Sequence, residues 1–299
     1  MGWIFFVKST SNLPRNTHPT PMPRLASRNP HIHVVNNTMF TRTTQQSSTG
    51  LPLRIGIATY SLRMVPTDQA IAVCKRLGIE TCSIKDVHLP RKSTAAERKA
   101  GYQKWMDAGI TPLSAGNIAL PDNEEAIRDA FVYCKEIGVP TMVCTPEIAS
   151  LPLLDRLSQE YAINIAIHNH GPEDKKFGDP DIVMGHVGKM NPRMGLCVDI
   201  GHAARNGKNP ADQIRKYRDR VYDVHFKDVK AGAKGLAVGS AIEVGRGSLD
   251  IAGIFKALMD IGFTGNVGIE YEKSDTEPII GFADSVGFMR GTLTQLRKR

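Results

Sequence analysis

The sequence lacks any apolar run approaching the roughly 18 residues of a membrane-spanning helix, which excludes an α-helical span. It has no CxxC pair. Its five cysteines (Cys74, Cys82, Cys134, Cys144, Cys197) are odd in number and widely spaced, a usage that fits buried thiols in a reducing compartment rather than a disulfide framework. No GxGxxG turn follows the first strand pattern, so dinucleotide binding has no support. Acidic residues are missing altogether from residues 1–50, where five basic ones stand (Lys8, Arg15, Arg24, Arg28, Arg42). Taking these out of the formal charge of +8 leaves 33 basic against 30 acidic residues in 51–299, so the body is not charged like a nucleic-acid binder.

What is present divides in the same place. Residues 1–50 are rich in Asn, Thr, Ser and Pro and carry no hydrophobic period. Such a stretch cannot bury enough surface to offset its ordering entropy. Its apolar run WIFFV is too short for a secretory core, and no amphipathic helix marks a transit peptide. The segment is expected to be a disordered basic extension, or an over-long gene model whose true start lies near Met39. A cytoplasmic location follows from the thiols, with targeting by the extension left open.

From residue 51 the chain becomes regular. Short apolar runs at 53–59, 79–84, 110–115, 141–145, 163–168, 195–199, 221–226 and 267–271 read as strands. Amphipathic stretches at 67–77, 94–108, 123–137, 151–161, 180–189, 210–220, 250–261 and 280–295 read as helices. The phrases RLGIE, DAGIT, EIGVP and DIGFTGN each place a glycine between a helix and the next strand, where a left-handed stop is needed. Eight such units over 51–299 predict an α/β fold, a single-domain (β/α)8 TIM barrel.

In a parallel barrel the chemistry sits at the C-terminal ends of strands, and alternation decides which residues face the axis. With Ile163, Ile165 and Ile167 facing the helices, His168 and His170 face inward. The same parity turns Asp199, then His225 and Lys227, then Glu270 and Glu272 toward the axis. Four consecutive strands thus aim His168, Asp199, His225 and Glu270 at one point. Two imidazoles and two carboxylates suit one divalent ion (Mn, Zn, Co or Mg), and like charges at a barrel mouth call for such a cation. His202, three residues after Asp199, reads as a substrate contact or an orienter of the ligands.

The strings AIHNHG, GLCVDIGH, VHFKD, GRGSLDI and GIEYE, in that order, resemble the xylose isomerase-like TIM barrel superfamily, in the groups called sugar phosphate isomerase/epimerase. Ketose 3-epimerases, hydroxypyruvate isomerase and inosose dehydratase are relatives in it. The resemblance covers roughly residues 53–296. It implies metal ligands at Asp199, His225 and Glu270, a functional His at His202, and a basic loop residue at Arg246. The epimerases begin their ligand set with Glu, where this chain has His168. In them that Glu is also one of two acid/base carboxylates, so the departure leaves Glu270 as the one ligand-bound carboxylate.

Weaker candidates complete the set. Glu147, after the fourth strand, is expected to stand in for the missing base, with a loop or capping role equally open. Lys227 is expected to hold a developing oxyanion. His88, with Lys85 and Asp86 in SIKDVHLP, is expected to reach substrate. The function these residues imply is a metal-dependent isomerase or epimerase acting on a sugar, sugar phosphate or polyol by proton abstraction beside a carbonyl. Loss of a β-hydroxyl from the same enediolate would make it a lyase of the inosose dehydratase type. A non-catalytic sugar-binding barrel and an abasic-site endonuclease are the rivals from other classes. The nuclease relatives carry extra His residues on early strands, whereas the third strand here ends SAGN. The expected partner is a small carbohydrate, with no nucleic acid and no membrane, and a homo-oligomer is left open.

Overall fold

The apolar runs become strands because each is buried on both sides, between the barrel axis and a ring of helices. A computed structural model of the protein describes residues 47–230 and 239–298. The strands β1 (Ile55–Ala58), β2 (Thr81–Ile84), β3 (Thr111–Leu120), β4 (Thr141–Pro146), β5 (Asn164–His168), β6 (Met194–Asp199) and β7 (Val221–Phe226) run parallel. After β7 come a two-stranded antiparallel ribbon, β8 (Asp228–Val229) with β9 (Ala241–Ile242), and then β10 (Asn266–Ile269), which pairs with both β7 and β1 and closes the barrel. The expected TIM barrel is the observed one.

The helices α1 (Thr67–Arg76), α2 (Ala95–Asp107), α3 (Glu124–Glu136), α4 (Leu151–Tyr161), α5 (Pro180–Val187), α6 (Ile200–Arg205), α7 (Pro210–Lys216), α8 (Ile251–Asp260) and α9 (Pro278–Arg297) surround it. Local chemistry starts and stops them. Thr94 caps α2 in a reciprocal box with Glu97, and Asn123, Asp179 and Asp250 cap α3, α5 and α8. The four glycines read as stops, Gly78, Gly109, Gly138 and Gly262, all hold positive φ.

The axis of the barrel is layered. Its floor is polar: Thr81 donates to Asn266 at 2.8 Å, and Ser114 donates to the Asp223 carboxylate. Burial raises the Asp223 carboxyl to about 6. Gly56 makes room for that layer, since a β-carbon there would stand 2.1 Å from Asn266 Oδ1. Above it lies a small apolar layer of Val143, Ala166 and Cys197. The large side chains lie outside, between strands and helices, as the stack of Phe226 on Phe255 illustrates. All five cysteines are buried and free, and burial alone raises Cys74 to about 12.

Three features depart from the sequence reading. β3 runs on to Leu120, because its pairing with β4 slips between Ala115 and Ile118. Gly116 permits the slip: a β-carbon there would meet the Val143 carbonyl oxygen at 2.1 Å. The short helix α6 and the β8–β9 ribbon are too brief to show a period.

The expected extension lies outside the described residues up to position 46. Residues 47–50, placed with it by composition, are structured. Ser47 Oγ donates to Glu80 Oε1 at 2.5 Å, and Ser48 donates to Glu80 Oε2 through its backbone N–H at 2.6 Å and its hydroxyl at 2.9 Å. Glu80 is buried, so these donors stand in for water. A chain beginning at residue 51 is therefore expected to be about 2–3 kcal/mol less stable in urea unfolding than one beginning at residue 47. Equal midpoints would show that solvent serves Glu80 as well as the serines do.

Candidate metal centre

Register explains how residues from four strands reach one height. His168 lies beside Cys197, two residues short of Asp199; Asp199 lies beside His225; His225 lies beside Gly268, two residues short of Glu270. The stagger is four residues over three pairings, close to the one residue per strand by which a sheared eight-stranded barrel tilts its strands. The ligand atoms of His168, Asp199, His225 and Glu270 consequently all lie within 4.8 Å of one another, and all four residues are buried. His168 Nε2 is 3.0 Å from His225 Nδ1 and 3.6 Å from Asp199 Oδ2, and His225 Nδ1 is 3.1 Å from Glu270 Oε2.

Asp199 is oriented by the backbone. It ends β6 and caps α6: its Oδ1 accepts from the His202 N–H at 2.8 Å, while its backbone N–H donates to Asn169 Oδ1 and its carbonyl accepts from Asn169 Nδ2, just beyond β5. That leaves Oδ2 buried without a hydrogen bond among the described residues, facing Lys227 Nζ as an ion pair at 3.3 Å. Such a carboxylate oxygen, two imidazoles and a second carboxylate at this spacing fit a divalent ion, whose ligand atoms at about 2.0–2.2 Å stand roughly 3–4 Å apart.

Lys227 supplies the fixed positive charge. Its Nζ lies 3.1 Å from Glu270 Oε2, 3.3 Å from Asp199 Oδ2 and 2.5 Å from Glu272 Oε2. Burial opposes ionisation of Asp199, Glu270, Lys227 and His225, and their mutual attraction outweighs it. Asp199 and Glu270 are held far below the usual carboxylate range, while Lys227 and His225 are held well above theirs. His168, lowered by burial but raised more by Asp199 and Glu270, reaches about 9. His170 and His202, with weaker carboxylate support, are lowered by burial to about 4 and stay neutral.

Two members of the centre, His168 and Glu270, line a cavity of about 690 Å³ at the C-terminal ends of the strands. His170, His202 and Lys227, expected from sequence, line it. Three other expectations need correction. Glu147 sits at the rim, where its carboxylate pairs with Lys176 at 2.8 Å and is about half exposed, so it does not face the centre. His88 is buried away from the cavity, bonded through Nε2 to the Val65 carbonyl and set edge-on to Trp105. Arg246 points outward to Asp284. Asp228 is the cause: its buried carboxylate accepts the backbone N–H groups of Gly245 and Gly247 and pins the loop from inside.

Tyr60, Asn117 and Thr145, not singled out from sequence, also line the cavity, as does Lys85 from SIKDVHLP. Asn117 bonds to Thr145 at 2.8 Å and to His170 at 3.2 Å. Its place depends on the slip in β3, for which the only sequence sign was the glycine before it.

Comparisons with known proteins agree with this architecture. A family model described as xylose isomerase-like TIM barrel matches residues 71–292. An inosose dehydratase of Clostridium beijerinckii is 28% identical over 133 residues, covering 40% of this chain and 44% of that protein. The chain thus spans less than half the length of that curated relative. Among solved structures, the IolI protein with a bound zinc atom superposes with a TM-score of 0.66 at 17% identity, over 81% of this chain and 97% of its own. The 3-keto-D-glucoside 4-epimerase YcjR of E. coli gives 0.64 at 15%, over 80% and 99%. At such identities the structures attest the fold alone.

A metal bound by these residues must displace protons. Without an ion His168 is protonated up to about pH 9, so affinity should fall as pH drops below that value, about tenfold per unit for each proton displaced. Competition titrations with zinc between pH 6.5 and 8.5 measure the slope, and a flat profile would remove His168 from the ligand set. Asp199→Ala, which deletes charge and coordination together, should leave the purified protein essentially without metal by elemental analysis.

Proposed function

The chain belongs to the xylose isomerase-like TIM barrel family, and from that premise we propose that it is a metal-dependent enzyme removing the proton beside a carbonyl of a sugar or related polyol. The observation that carries the reading is the meeting of His168, Asp199, His225 and Glu270 at one point, with His168 and Glu270 lining an open cavity. When bound there, a divalent ion would act as a Lewis acid that makes the carbon-bound proton more acidic. Glu270, at the end of β10, takes that proton. Lys227 stands 3.1 Å from Glu270 and donates to the oxygen on which negative charge gathers. His202 and His170 contact the substrate's other oxygens as neutral rings. Free, buried thiols support a reducing compartment as the place of action.

With Glu147 ion-paired to Lys176, this reading gives Glu270 both roles, holding the ion and moving the proton. One base can carry a proton between adjacent carbons on the same face, which supports isomerisation. Epimerisation needs a second group on the opposite face, and the geometry of Glu147 does not supply it. A second reading, dehydration, is favoured by Lys227 itself: an ammonium beside the base can protonate a departing β-hydroxyl. The inosose dehydratase similarity points the same way.

The deciding experiment incubates the metal-loaded protein with ketoses and keto-inositols in D2O and follows carbon-bound protons by NMR. Exchange with isomer formation marks the isomerase, and exchange with loss of water marks the lyase. Glu270→Gln should lower exchange by at least about a hundredfold while part of the metal stays bound. Exchange at the wild-type rate in that variant would require another base.

A further inference from the structure

Lys85, Lys176 and Lys227 line the main cavity, and Arg91 lines a smaller one beside it. Their partners differ. Lys227 sits 2.5 Å from Glu272 and Lys176 2.8 Å from Glu147, so both are committed within the chain. Lys85 meets a carboxylate only at 3.7 Å, that of the half-exposed Asp86, which is beyond hydrogen-bond range. The half-buried Arg91 has a guanidinium with no hydrogen bond or ion pair among the described residues.

The smaller cavity, about 140 Å³, is lined by Arg91 and Lys85 together with Asp86 and Tyr133. That is room for one small polar group, the volume of four or five waters at roughly 30 Å³ each. Lys85, Asn117 and Ala119 border both cavities, so the two adjoin. The loop that carries the two cations is fixed from the helix side. His88 is bonded to the Val65 carbonyl, and the Tyr133 hydroxyl donates to the Leu89 carbonyl at 2.8 Å. Arg98 donates to the Arg91 carbonyl while ion-pairing with Glu136. Arg98 thus holds the backbone of Arg91, and the five N–H groups of the Arg91 guanidinium stay uncommitted. Lys85 spends one of its three ammonium protons on the Asn117 carbonyl.

Two cations against one half-exposed carboxylate leave the small cavity net positive. A planar guanidinium fork beside an ammonium matches the oxygens of a carboxylate or a phosphate. A neutral hydroxyl would leave the charge uncompensated. We propose that Arg91 and Lys85 form an anion subsite for a carboxylate or phosphate of the substrate, whose reacting carbon stands at the metal centre. The substrate is then a sugar acid or a sugar phosphate, not a neutral polyol. The subsite stands on the cavity and its cations; its use in turnover rests on the function proposed above.

The binding test uses the full-length, metal-loaded protein with 15N-labelled arginine, the Arg91 Nε–H signal being identified by its loss in Arg91→Gln. Inorganic phosphate and acetate are titrated in, with sodium chloride at matched ionic strength as the control. The Arg91 signal should shift saturably with at least one of the two anions and not with chloride. Lys85→Gln should weaken that binding about tenfold. Asp86→Asn, which removes the opposing charge, should tighten it about twofold to fivefold, and serves if Lys85→Gln folds poorly. No saturable shift with either anion, or wild-type affinity in both variants, would overturn the subsite. The turnover test pairs ketoses with their 6-phosphates and with the corresponding uronates in the D2O exchange assay. A charged member should show the higher kcat/KM, and Arg91→Gln should cut that preference about tenfold, through KM. Preference for the phosphate or for the uronate identifies the head group. A neutral ketose preferred over both would overturn the proposal. Anion binding at Arg91 with no exchange in any pair would refute the enzymatic reading and leave the subsite standing.

Discussion

Three carboxylates gathered around one ammonium at the top of the barrel set the terms for everything near them. Asp199 is completely buried, Glu270 nearly so, and Glu272 shares Lys227 with both. Charges taken out of water cost several kcal/mol each unless they are compensated at close range. One lysine balances one of the three. The deficit of two is the charge of a divalent ion, and in its absence protons on His168 and His225 meet it. Either way the imidazoles are part of the charge balance. Replacing the family's first carboxylate by His168 keeps that balance at zero with a divalent ion bound, where a third ligand carboxylate would leave it negative.

Backbone geometry brings this cluster together. The tilt imposed by barrel closure brings four strand ends to one height, and strand parity turns one residue of each inward. Asp199 ties the scaffold to the site most directly. The oxygen that starts α6 is fixed by the helix, and the other is thereby aimed at the centre. The same helix then carries His202, so one capping interaction orients both the Asp199 carboxylate and a ring that lines the cavity.

The two ends of the barrel axis use burial differently. At the floor, Thr81 donates to Asn266 and Ser114 donates to Oδ2 of the Asp223 carboxylate, whose Oδ1 is buried without a hydrogen bond among the described residues. At the mouth, charged groups gather, with Lys227 ion-paired to Asp199, Glu270 and Glu272. That difference matches the division in this fold between a stabilising bottom and a reactive top.

Alternation along strands and the glycine stops between helix and strand were enough, read from the sequence alone, to establish the barrel and the four converging residues. Both are local consequences of backbone geometry with a fixed period, so they survive without coordinates. Long-range pairing decided the rest. Glu147 was lost to Lys176, His88 to the Val65 carbonyl, and Arg246 to Asp284, each through a partner at least 23 residues distant in sequence. Asn117 entered the cavity through a register slip, and residues 47–49 were held by Glu80, more than 30 positions away. A strand's period says which way a side chain points. Which partner competes for it depends on neighbours that only the closed chain brings together, and in the tertiary structure those neighbours chose between site and scaffold.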